Sequence, residues 1–399
     1  MTQGATTSHG VGGDEPRLRP TAELDGSGSL SDVETEDVGD VEQDEPFDPE
    51  KIDVVTRTPT LNLMLARVRR ETIDLQPDFQ RTAGIWRERN QSRLIESLLL
   101  RIPLPTFYAA ENADDGWAIV DGIQRLTTIT RFMAPDALGL EPLVLHDLEY
   151  LPFDGARFHD LPGRLQTRLE ETEIVLHLIR HGTPEKVKFN IFARINTGGM
   201  PLSAQELRHA LIPGQGRELL IELAASGEFQ TATLGTVRSS RMADREMVLR
   251  FAAFHLTDPT RYRHFDLDLF LREAMDQIND LSSSELDRLR RDFARAMVAA
   301  HEIFGKHAFR KRYARTGARN PINRALFETV AVALARRSDG ELRRLVAVHD
   351  RVEDSFIARL ENDEQFERAV SVGTGDPAKV VYRFAVVDEL FSRGIGASS

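Results

Sequence analysis

The hydrophobic pattern of this chain changes period at one dipeptide, Asp121-Gly122. Before it, Trp117-Ala118-Ile119-Val120 is a short apolar run of strand character. After it, Leu126, Ile129 and Phe132 or Met133 recur at helical spacing, so a helix is predicted over 123–133. A strand that passes within two residues into a helix requires a mixed fold.

The flanking sequence extends that reading. Leu61, Leu65 and Val68 mark a first amphipathic helix, Thr72–Leu75 a short strand and Asn90–Arg101 a second helix. Leu104–Ala109 and Glu173–Ile179 read as further strands. A helix follows Thr183-Pro184 to about Arg194, and Ser203-Ala204-Gln205-Glu206 is a capping box that opens another. Beyond it the chain reads helical, most clearly at 244–255, 284–304, 321–337 and 341–360. The fold class is therefore α+β: a mixed α/β part over 51–212 and an all-helical part over 213–399. No Pro/Gly/Ser linker separates the two, so they are expected to pack as one body.

Charge divides the chain differently. Residues 1–50 hold 14 Asp/Glu and two Arg, which accounts for the whole formal charge of −12. With almost no aromatic content, this stretch is expected to be a disordered acidic tail that buries nothing. Such a tail could mimic nucleic acid or shield a basic groove, but a solvated tail is the simpler expectation. The remaining 349 residues are balanced at 49 basic and 49 acidic groups, so global charge argues for no polyanionic partner. Cysteine is absent, which excludes disulfides and thiolate metal sites and fits a cytoplasmic location. No apolar run is long enough to span a membrane, and no secretory leader is expected.

The Asp121-Gly122 turn also suits anion binding. The first amides of a helix lack intrahelical partners and sit at the positive end of its dipole. Gly122 permits a sharp turn, Arg125 could place a planar fork on phosphate, and Thr127 and Thr128 add hydroxyls. Asp121 could accept from a ribose hydroxyl or hold a hydrated Mg²⁺. The bland alternative is a tight strand–helix turn with a surface arginine. Gln80-Arg81, after a proline-marked turn, and Arg194-Ile195-Asn196-Thr197-Gly198-Gly199, a helix end running into two glycines, offer further polar groups. Alone they read as a solvated loop and a helix C-cap.

Together and in this order, the three segments resemble the N-terminal domain of GmrSD-type restriction endonucleases, a family typified by Phe-Gln-Arg, Asp-Gly-Gln-Gln-Arg and Asn-Thr-Gly-Gly motifs. The matching residues are Phe79-Gln80-Arg81, Asp121-Gly122-Ile123-Gln124-Arg125 and Asn196-Thr197-Gly198-Gly199, over about 55–215. A looser likeness includes Asp244–Arg250 and Asn320–Asn323. The resemblance implies a ParB/sulfiredoxin-like fold and a bacterial antiphage defence module that binds or hydrolyses a nucleoside triphosphate with Mg²⁺. It would act with a separate nuclease or effector subunit on foreign DNA, and it could be oligomeric. Carried onto this chain, the nucleotide-binding residues are Gln80, Arg81, Asp121, Gly122, Gln124, Arg125, Thr127, Thr128, Arg194, Asn196, Thr197 and Gly198. Asp121, Gln124 and Arg125 are the candidate catalytic residues. Arg125→Ala is expected to abolish binding without unfolding the protein. The chain departs from the family at Ile123, where relatives carry Gln. Either hydrolysis is weakened there, or the side chain packs into the core.

A self-contained nuclease is not expected. No Lys has an acidic residue two positions earlier, His301 and His307 are spaced wrongly for two ligands on one helical face, and no Gly-x-x-x-x-Gly-Lys-Ser/Thr loop occurs. Arg310, Lys311, Arg312, Arg315 and Arg319 form a basic cluster, readable as a DNA-backbone patch or as a solvated loop. Two functions remain: a nucleotide-dependent defence NTPase or sensor, or a non-catalytic DNA-binding or adaptor protein that uses nucleotide only as a conformational ligand.

Overall fold

The computed structural model describes residues 20–24, 30–38, 49–75, 86–195, 202–263 and 266–396. A five-stranded sheet has the order β3-β7-β5-β6-β4, formed by Val54–Arg57 (β3), Ile73–Asp74 (β4), Phe107–Glu111 (β5), Trp117–Asp121 (β6) and Leu176–Ile179 (β7). The pairs β5–β7 and β4–β6 are parallel; β5–β6 and β3–β7 are antiparallel. Helices α1 (Leu61–Arg69), α2 (Glu88–Leu99), α3 (Ile123–Met133), α4 (Gly163–Glu171) and α5 (Glu185–Ile195) accompany it. Among the helices that follow are α6 (Ala204–Leu211), α7 (Gln215–Ala225) and, later in the chain, Ala243–Leu256, Ser283–Phe304, Arg324–Ala335 and Pro377–Gly396.

The central strands are continuous apolar runs because both sheet faces are covered. Side chains alternate between faces. Phe107, Ala109, Ile119 and Leu178 join a core with α1, α2 and α3, whereas Ala110, Val120 and Ile179 join the core of the helical half. Phe189 and Phe192 of α5 and Leu207 and Ala210 of α6 belong to that second core. The hydrophobic interior therefore divides across the sheet and not at residue 212.

Local chemistry starts the helices where the sequence marks them. Thr60 caps α1, accepting from the Leu63 amide at 3.3 Å. Ser203 and Glu206 form the expected box at α6, with Oγ accepting from the Glu206 amide at 3.1 Å. The helix expected over 341–360 is instead two, Asp339–Ala347 and His349–Asn362, separated at Val348 by non-helical backbone angles. Strand β3 was not expected from the sequence; it is a short, exposed edge strand.

The acidic N-terminal stretch differs from the solvated tail expected for residues 1–50. Its described residues include strands β1 (Ala22–Leu24) and β2 (Leu30–Glu34), paired antiparallel. Residues 30–38 lie against the helical half, and Val33 is 1% exposed. The Glu34 amide donates to the Ile322 carbonyl at 2.8 Å, and the Ile322 amide to the Asp32 carbonyl at 2.7 Å. Charge pairing, not apolar content, orders this stretch: Asp32, Glu34 and Glu36 each meet a cation.

Candidate functional site

Strand β6 ends at Asp121, and Gly122 turns the chain with φ 96°, a left-handed value that favours glycine. A Cβ at this position would also sit 2.4 Å from the Phe107 ring. Helix α3 begins at once, with no side chain capping it. Its first-turn amides are those that an α-helix leaves without intrahelical partners.

The side chains at this turn fall into two groups. Asp121 and Gln124 are half-buried and reach the surface: the Asp121 side chain is 40% exposed, and Gln124 Oε1 accepts from the Trp86 amide at 3.4 Å. The others point inward. Ile123 is 6% exposed in the core with Leu126 and Ile129, so the packing alternative holds at this position. Thr127 Oγ1 donates to the Ile123 carbonyl and Thr128 Oγ1 to the Gln124 carbonyl, both at 2.7 Å, and both threonines are buried. They satisfy their hydroxyls within α3 and do not line a ligand face.

Arg125 also departs from expectation. Its guanidinium donates to the carbonyls of Pro105 and Thr106, pairs with Asp121 at 3.0 Å and lies 4.4 Å from the Phe107 ring centroid. Burial pushes its pKa down, and Asp121 opposes that shift. The fork fastens the segment before β5 to the β6–α3 turn and does not face outward toward a phosphate. Arg125→Ala would therefore remove structural bonds, contrary to the expectation of a variant that only loses ligand.

Both flanking motifs lie outside the described residues, and only the segments on either side of them are placed. Gln80 and Arg81 lie outside the described residues, but the chain leaves β4, which pairs parallel with β6, and returns at Trp86 against Gln124. Asn196, Thr197 and Gly198 are likewise outside the described residues. The segments on either side of them are the end of α5, where Arg194 is exposed, and α6, which packs against β6.

A cationic group beside the sheet received no role from the sequence. Arg217 donates to Asp74 of β4 at 2.6 Å, and Arg245 Nη1 lies 3.3 Å from His209 Nε2. Its signal was present, since His209 follows Arg208 and Arg245 lies in the looser family likeness. Burial, followed by Arg217 and Arg245, pushes His209 down to about 2. The folded pKa lies below the unfolded value of about 6.5, so the unfolded chain takes up the proton first. Stability is expected to be complete above about pH 6.5 and to fall by up to about 1.4 kcal/mol per pH unit below it from this residue. A His209→Gln variant should lose that part of the slope. Denaturant midpoints across a pH series test this, and equal slopes for the two proteins would refute it.

The basic cluster is paired with carboxylates, with Arg310 and Lys311 enclosed and Arg315 and Arg319 exposed. Arg310 pairs with Asp32 at 2.7 Å and Lys311 with Glu34 at 2.6 Å, each with a side chain 1% exposed. Arg319 also meets Asp32, Arg312 pairs with Glu353, and Arg315 pairs with Asp350 and Asp354. Arg310 and Lys311, enclosed against their carboxylates, are not displayed to a DNA backbone.

Sheet, turn and helical wall define an α+β domain whose most accessible chemistry is an uncapped helix N-terminus beside two half-buried polar side chains. Residues 63–213 match the family described as GmrSD restriction endonuclease, N-terminal domain. No curated protein matches the chain. Among the described residues, no helix is long and apolar enough to cross a membrane.

Proposed function

We propose that this chain is the nucleotide-binding component of a restriction-type defence system, with a nucleoside triphosphate held at the β6–α3 turn. The observation that carries the reading is Gly122, which opens α3 without a side-chain cap between Asp121 and Gln124. Backbone amides at a helix N-terminus suit phosphate without help from Arg125. Gln80, Arg81, Arg194, Asn196, Thr197 and Gly198 are the remaining contacts proposed from the family likeness. No group of three or more metal-type ligands occurs among the described residues. Mg²⁺ commonly binds through one or two carboxylates together with substrate phosphates, and Asp121 is the carboxylate here that fits such a role.

The adaptor reading is favoured on one point: buried Ile123 offers no amide to orient water, which supports binding without fast hydrolysis. Calorimetry with the four ribonucleoside triphosphates, with and without Mg²⁺, tests the proposal. Binding strengthened by Mg²⁺ is expected, and Gln124→Ala should weaken it several-fold while the melting temperature holds. No binding at millimolar nucleotide would overturn the proposal. Phosphate release separates NTPase from adaptor.

A further inference from the structure

Residues 22–24 and 30–38 of the acidic stretch lie in a groove of the helical half whose chemistry is specific. Glu23 takes a two-pronged contact from Arg324, at 2.7 and 3.2 Å. Glu36 takes another from Arg250, at 2.5 and 3.0 Å. Between them, Asp32 meets Arg310 and Arg319, and Glu34 meets Lys311 and the Asn323 amide. The groove also reads main chain. Besides the Ile322 bonds, the Thr374 amide donates to the Asp37 carbonyl at 3.0 Å and the Gly375 amide to that of Val38 at 3.2 Å.

Hydrophobic burial contributes little to this contact. Val33 is enclosed, but Leu24 and Leu30 remain 67% and 68% exposed. The segment is held by alternate carboxylates and by strand-type backbone bonds, a combination that recognises an extended acidic peptide. Emptying the groove would leave Arg310 without Asp32 and Lys311 with only Glu367, at 3.9 Å, so the vacated cations would favour another anionic segment.

From this we infer that the groove is an acceptor site for an extended acidic peptide of a partner protein, with the pattern Asp-apolar-Glu-x-Glu, and that residues 30–38 are a tethered stand-in for it. Backbone pairing favours peptide over nucleic acid, whose phosphates could meet the cations but could not reproduce strand bonds to Ile322, Thr374 and Gly375. The tether keeps the stand-in at high local concentration, so an external peptide competes only when the tether is cut or its own affinity is higher.

The test uses the full chain with a specific protease site inserted between Glu42 and Gln43. A fluorescent peptide spanning residues 20–38 is added before and after cleavage, and anisotropy and fragment release are followed. The uncut protein should take up little peptide, and the cut protein should exchange its own fragment for it. A competitor carrying Asp32→Asn, Glu34→Gln and Glu36→Gln should be at least about tenfold weaker, because its charge-assisted bonds are lost. A fragment that never exchanges would show an integral strand and overturn the inference. Displacement by single-stranded DNA but not by peptide would overturn it in favour of a nucleic-acid groove.

Discussion

Replacing Gly122 with alanine is expected to destabilise the sheet domain by about 2–6 kcal/mol, from a strained left-handed backbone and an overpacked contact. The geometry is direct: φ is 96°, and the new methyl would meet the Phe107 ring at 2.4 Å. Phe107 is itself fully buried and lies under the Arg125 guanidinium, so the ring has little room to retreat. Denaturant unfolding of Gly122→Ala, Phe107→Leu and the double variant separates the two causes. If the clash dominates, the double variant should lose about 1–3 kcal/mol less than the sum of the single losses. Additive losses would leave backbone strain as the cause. Strain and packing together account for glycine here, so the argument for a ligand rests on the uncapped amides that follow Gly122 and not on the glycine itself.

Arg383→Met should be comparably damaging, by about 3–5 kcal/mol, because it leaves a buried carboxylate short of its partner. Arg383 and Glu328 are both fully enclosed and hydrogen-bonded to one another, and Arg250 reaches Glu328 from the other side at 3.3 Å. Removing both members of the closest pair, as Arg383→Met with Glu328→Met, should restore much of the loss, since no uncompensated charge remains. The single variant's deficit should also shrink as pH falls into the carboxylate range, where a protonated Glu328 no longer buries a charge. A deficit independent of pH would assign the damage to lost packing.

Much of the framework was legible because local pattern and tertiary outcome agree. The change of period at Asp121-Gly122 placed β6 and α3 correctly, and Ser203-Ala204-Gln205-Glu206 placed α6. What misled was any feature whose meaning depends on a distant partner. Arg310, Lys311 and Arg319 look like a patch when only their own stretch is read, yet their carboxylates lie near the other end of the chain. The same blindness made residues 30–38 look solvated, since composition counts apolar surface and not complementary charge. The inward turn of Arg125 did leave a local trace: an acid four residues before an arginine, here Asp121, is the spacing of a helical ion pair. The core position of Ile123 was likewise suggested by its place three residues before Leu126.

The sheet is a wall shared by two interiors, with Ile119 facing one and its neighbour Val120 the other. A chain shortened after residue 212 would keep every strand of that sheet together with α5 and α6, but Phe189, Phe192, Leu207 and Ala210 would lose the rest of the core they share with the later helices. The segment matched over 63–213 is therefore not a detachable cassette. Transplanting it into another protein would demand a new partner for those core residues, and any displacement of β6 would be felt directly by the helices behind it.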